Sequence, residues 1–70
     1  MQGGFCMLIN GQEHTLMETM SLEQLLIEQG YRANLVAVEI NGIIAKRTTY
    51  ADIMLNDADR LEIVSFVGGG

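Results

Sequence analysis

Two Asn-Gly pairs, Asn10-Gly11 and Asn41-Gly42, constrain this chain more than any other feature in it. Each lies between two short runs of residues. A type I′ turn needs positive φ at both central positions, which Asn and Gly tolerate best, so each pair predicts a β-hairpin. The first hairpin joins Cys6-Met7-Leu8-Ile9 to Gln12-Glu13-His14-Thr15-Leu16. The second joins Val36-Ala37-Val38-Glu39-Ile40 to Ile43-Ile44-Ala45-Lys46, with Val36, Val38 and Ile40 on one face.

Between the hairpins, Ser21 and Gln24 have the spacing of a capping box, which satisfies orphaned amides at a helix start. Leu22, Leu25 and Leu26 fall on one helical face, and Gly30 suits the left-handed stop, so a helix is expected over residues 22–29. Ile27 lies off that stripe; either the apolar face is wide or Ile27 is partly exposed. Residues 31–35 read as a connection. Thr48 or Thr49 is placed to cap a short helical turn through Tyr50, Ala51 and Asp52. Asn56-Asp57-Ala58-Asp59 reads as a turn, since Asn and Asp bond their own backbone. Residues 60–66 form a last strand. Leu61, Ile63, Ser65 and Val67 share one of its faces; Arg60, Glu62, Val64 and Phe66 share the other.

The order is hairpin, helix, hairpin, short turn, strand. One short helix covers one face of a mixed sheet, which is an α+β architecture with the last strand mid-sheet beside the first. One domain is expected over residues 7–67, with 1–6 as a native extension or cloning remnant and 68–70 as a flexible glycine tail. No repeat or second domain is visible.

At 70 residues the chain buries only about 60% of its unfolded surface, too thin a core for a deep, enclosed active site. That favours a carrier or binding module over a self-sufficient enzyme. A net charge of −5 argues against nucleic-acid binding, which rests on phosphate neutralisation; it is compatible with a basic surface on a protein partner and equally with simple solubility. Cys6 is the single cysteine, so no internal disulfide or thiolate cluster is available. No signal peptide is visible and no apolar stretch approaches the roughly 18 residues that span a bilayer, so a cytoplasmic location and no membrane association are expected.

Val67-Gly68-Gly69-Gly70 then takes on meaning. Glycines inside a chain usually link; at an end they make a thin tail without side chains, able to enter a narrow channel in a partner. The alternative is a frayed end. Val36-Ala37-Val38-Glu39-Ile40-Asn41-Gly42, Lys46-Arg47, Asn56-Asp57-Ala58-Asp59-Arg60-Leu61-Glu62-Ile63-Val64 and Gly68-Gly69-Gly70 together resemble the ThiS family of sulfur carriers of thiamine biosynthesis. That family belongs to the ubiquitin-like β-grasp proteins, alongside the molybdopterin synthase small subunit. The resemblance covers residues 7–70. Two positions depart from it: Ala45 stands where members often have proline, and Ala58 where they often have glycine. Alanine at 58 is strained if that position needs positive φ.

The resemblance implies a ubiquitin-like β-grasp fold and a modified residue, Gly70. An E1-like adenylyltransferase of the ThiF type would adenylate its carboxylate with ATP. A sulfur donor such as a cysteine desulfurase would supply sulfur for a thiocarboxylate, and a thiazole synthase of the ThiG type would receive it. Gly68 and Gly69 would thread the partner's channel. The chemistry is sensible: a carboxylate is a poor electrophile, and adenylation supplies a leaving group. The chain itself has no phosphate-binding G-x-x-x-x-G-K-[ST] loop, so ATP belongs to the activating enzyme and no cofactor or metal is expected here.

Two alternatives are kept. One is the molybdopterin synthase small subunit, which is usually longer with prolines before the tail. The other is a β-grasp interaction module without tail chemistry. Cys6 and His14 are too few for a metal site, and the Asn56–Asp59 turn lacks the glycine and terminal acid of a calcium loop. Val64 and Phe66, with Val67 beside them at the head of the tail, are expected to dock a partner if the face of the first two is open; the alternative is that the loop over residues 50–55 covers it.

Overall fold

The computed structural model describes residues 4–66. Its elements are β1 (Phe5–Ile9), β2 (Gln12–Leu16), α1 (Leu22–Glu28), β3 (Val36–Ile40), β4 (Ile43–Ile44) and β5 (Arg60–Ser65), with 3-10 turns at Ala33–Leu35 and Arg47–Thr49. The five strands form one mixed sheet in the order β2-β1-β5-β3-β4. β5 runs parallel to β1 and antiparallel to β3, so the last strand in sequence is the middle one in space. This is the α+β, β-grasp arrangement.

Both hairpins turn as their sequences require. Asn10 and Gly11 have φ of 53° and 84°, and Asn41 and Gly42 have 53° and 86°, the two positive values of a type I′ turn. β1 starts one residue before the expected strand, because Phe5 pairs with Leu16, just ahead of Cys6 opposite Thr15. Those two residues therefore belong to the sheet rather than to an extension ending at residue 6.

α1 is capped as its sequence predicts. The Ser21 hydroxyl accepts from the Gln24 amide at 3.1 Å. At the other end Gly30 has φ +85°, Tyr31 N donates to Leu26 O at 2.8 Å and Gly30 N to Ile27 O at 3.1 Å. That pair of bonds is a Schellman motif, which satisfies the last carbonyls and stops the helix. Leu22, Leu25 and Leu26 are fully buried against Met7, Ile9, Leu16, Val36, Val38, Leu61 and Ile63. Ile27, off the stripe, is exposed.

The segment after β4 differs from expectation. Its helical turn is Arg47–Thr49, ahead of Tyr50, and Lys46 caps it without a side-chain bond. Thr49 does not cap the start; its hydroxyl donates back to Lys46 O at 2.6 Å. Beyond the turn, the segment is tied to the helix start. Leu22 N donates to Ile53 O, Glu23 N to Tyr50 O, and Leu55 N to Met20 O, at 2.8, 3.1 and 3.0 Å. Tyr50 and Leu55 are buried in the same core as the helix leucines.

The turn before β5 is tightly held. Asn56 N donates to Asp59 Oδ2 at 2.8 Å, Cys6 N to Asp57 Oδ1 at 2.9 Å, and Ala58 N to Cys6 O at 2.8 Å. These bonds hold Ala58 at φ +71°. For an L-residue with a Cβ that conformation costs about 1–2 kcal/mol.

Candidate functional site

Because the 50–55 segment bonds to the helix start, it lies on the helix side of the sheet. Among the described residues, the opposite face stays open. On β5, Leu61 and Ile63 point into the core while Arg60, Glu62 and Val64 are exposed. Val64 and Phe66, the described members of the expected docking set, are 60% and 64% exposed. Phe66 lies just past the strand, with its amide donating to Leu35 O at 2.8 Å. Ser65, expected on the core-facing side, is exposed near the strand end. Val67, Gly68, Gly69 and Gly70 lie outside the described residues.

Strand register places further residues beside Val64. Ala37 stands directly opposite it on β3, Glu39 stands opposite Glu62, and Ile44 on β4 stands opposite Glu39. Ile44 is 72% exposed. A shallow apolar groove is lined by Ala37, Val38, Glu39, Ile44, Glu62 and Val64. A polar groove beside it is lined by Glu39, Asn41, Gly42, Arg60 and Glu62. Sequence periodicity had already separated Glu39 from the core-facing residues of its strand and grouped Glu62 with Val64. Ala37, Glu39, Ile44 and Glu62 were not recognised as a patch, because only long-range register brings them together.

The hairpin does not join Cys6 to His14. His14 stands opposite Met7, and Cys6 stands opposite Thr15, so the two lie on opposite faces of the hairpin. Among the described residues no group of three or more His, Cys, Asp or Glu side chains is placed to hold a metal ion. No helix among them is long and apolar enough to cross a membrane. What the open face offers is contact: exposed apolar side chains on the strand that leads directly to the glycines.

The model of the ThiS family matches residues 7–70. The crystal structure of the thiamine biosynthesis protein ThiS from Geobacter metallireducens superposes with a TM-score of 0.78 at 29% identity, covering 94% of this chain and 100% of that one. A segment of the thiazole synthase of Paramagnetospirillum magneticum is 45% identical over 64 residues, 91% of this chain and 20% of that protein. The thiazole synthase of Magnetococcus marinus is 39% identical over 62 residues, 19% of its length. This chain thus spans about a fifth of those two relatives. An uncharacterised protein of Pyropia yezoensis, ycf40, is 39% identical over 62 residues, covering 89% of this chain and 87% of that protein.

Proposed function

Since the chain belongs to the ThiS family, we propose that it carries sulfur for thiazole formation in thiamine biosynthesis, with Gly70 as the residue that is modified. The observation that carries this reading is the family match over residues 7–70, which takes in both the β-grasp domain and the glycine run. The chain is a co-substrate rather than an enzyme: partners do the bond-making at its end.

An E1-like, ThiF-type adenylyltransferase joins the Gly70 carboxylate to AMP from ATP, releasing pyrophosphate. The persulfide sulfur of a cysteine desulfurase or similar donor then attacks the acyl carbon and displaces AMP, and a second thiol cleaves the acyl disulfide so formed, taking the donor's sulfur as a disulfide and leaving a thiocarboxylate. A ThiG-type thiazole synthase takes the sulfur. Gly68 and Gly69 present no Cβ to a narrow channel, and none at Gly70 shields the acyl carbon from attack. Val64, Phe66 and Val67 dock the partner that threads the tail; the exposure of Val64 and Phe66 supports this. The whole cycle suits a cytoplasmic protein.

The test is intact-protein mass after incubation with ATP, a sulfur source and the cognate activating enzyme. A shift equal to one oxygen exchanged for sulfur, lost on deleting Gly70, is the expected result. An unchanged mass with a demonstrably active enzyme would favour an interaction module whose glycines do no chemistry.

A further inference from the structure

Glu39 and Glu62 stand directly opposite each other across β3 and β5, and both are exposed. Directly opposed side chains on a sheet have Cβ atoms about 4.5–5.5 Å apart, and like charges in that relation destabilise it. Neither carboxylate is used by the tail chemistry. The pair sits where the two grooves meet, lining the apolar one with Ile44 and Val64 and the polar one with Arg60. Arg60 is the single basic side chain there, so the carboxylates outnumber it.

We propose that the Glu39–Glu62 pair receives a lysine or arginine of the thiazole synthase. The aliphatic stem of that residue lies over Ile44 and Val64, and its cationic head is held between the two carboxylates. An apolar floor ending in paired acids complements this kind of side chain, long and apolar with a charged tip. The occupant is a thiazole synthase because two proteins of that name contain a segment similar to this chain, which keeps the two modules neighbours within one polypeptide. The inference rests on the sulfur-carrier reading, and its partner is the acceptor rather than the activating enzyme.

The test measures binding of the full chain to the cognate thiazole synthase by calorimetry at low and high salt. Wild type is expected to bind more weakly as salt rises, because exposed charges are screened. The Glu39→Gln/Glu62→Gln double variant is expected to bind at least tenfold more weakly at low salt and to lose most of that salt dependence. Glu23→Gln, on the exposed side of the helix, is expected to bind as wild type does. Circular dichroism checks that the double variant is folded. Glu62→Lys, which places opposite charges across the two strands, is a second variant that should fold at least as well and bind worst of all.

Equal affinity of wild type and folded charge variants would overturn the proposal. So would charge-dependent binding to the adenylyltransferase alone, or no binding of wild type to the synthase. Gain of the sulfur mass shift with any of these outcomes leaves the carrier reading standing. Absence of that shift with an active enzyme removes the carrier reading by itself.

Discussion

The carboxamide of Asn10 pairs with the main chain of Ile63 as another strand residue would. Its Oδ1 accepts from Ile63 N at 2.7 Å and its Nδ2 donates to Ile63 O at 3.3 Å. The preceding steps of the β1–β5 ladder are Leu8 N to Asp59 O at 2.9 Å and Asn10 N to Leu61 O at 2.8 Å. The chain turns away at Asn10, so its side chain supplies the next rung. Asn41 acts similarly on the other flank: Arg60 N donates to its Oδ1 at 3.0 Å, while the main-chain N of Asn41 donates to Arg60 O at 2.8 Å. Asn10→Gly keeps the positive φ but loses both side-chain bonds. At about 0.5–1.5 kcal/mol net for each bond, it should cost about 1–3 kcal/mol, measured by urea denaturation.

Ala58→Gly should stabilise the protein. It removes the left-handed cost at φ +71°, about 1–2 kcal/mol. Glycine's greater freedom in the unfolded chain offsets about 0.4–1 kcal/mol of that. At the middle of both ranges a net gain of about 0.8 kcal/mol remains, and in a domain this small each kcal/mol moves Tm by about 4–8 °C. An unchanged or lowered melting temperature would show that the turn's hydrogen bonds compensate for the strain in some other way.

Leu25→Ala should be close to disabling. The side chain is fully buried at the centre of the helix face, and such truncations cost about 2–5 kcal/mol. Small domains have only about 5–15 kcal/mol in total. Thermal denaturation should show a large loss of Tm. Ile27→Ala, two residues on but exposed on the other side of the helix, should change little by the same measurement.

Changes at the tail should separate chemistry from folding. Deleting Gly70, or adding one residue after it, should abolish the mass shift to a thiocarboxylate. The same variants should melt with wild type, because among the described residues the core lies at or before Ile63. A parallel loss of Tm would mean that the glycines have a structural part.

Glu62→Lys should raise stability slightly while weakening partner binding. It replaces a like-charged cross-strand pair with an opposite one, a change of about 0.2–1 kcal/mol. Differential scanning calorimetry would detect the gain; a fall in Tm would show that the opposed glutamates carry no repulsive cost.

Much of this was legible in the sequence because the signals were local. Asn-Gly fixed both turns, Ser21 and Gly30 bounded the helix, and the two-residue period assigned Leu61 and Ile63 to one face and Val64 to the other. Phe5 was left out although it continues the Phe5, Met7, Ile9 alternation, since its partner Leu16 is reached only across the hairpin. The Arg47–Thr49 turn carries no side-chain cap to announce it. Whether Val64 and Phe66 face solvent depended on backbone bonds from Ile53, Tyr50 and Leu55 to the helix start. No short-range pattern encodes such contacts. The facing of Glu39 and Glu62 is likewise a matter of register between strands more than twenty residues apart in sequence.

The central position of β5 has a consequence for biogenesis. A ribosome makes both hairpins and the helix first, yet β1 and β3 each lack a neighbour until β5 arrives between them. A nascent chain stopped before residue 60 therefore holds unpaired strand edges and uncovered helix leucines, the features that make partial chains stick together. Completion of the sheet and delivery of the residues leading to the tail become one event. A partner that needs the assembled sheet face would thus meet the tail only on a finished domain, and incomplete copies would be left to chaperones and proteases.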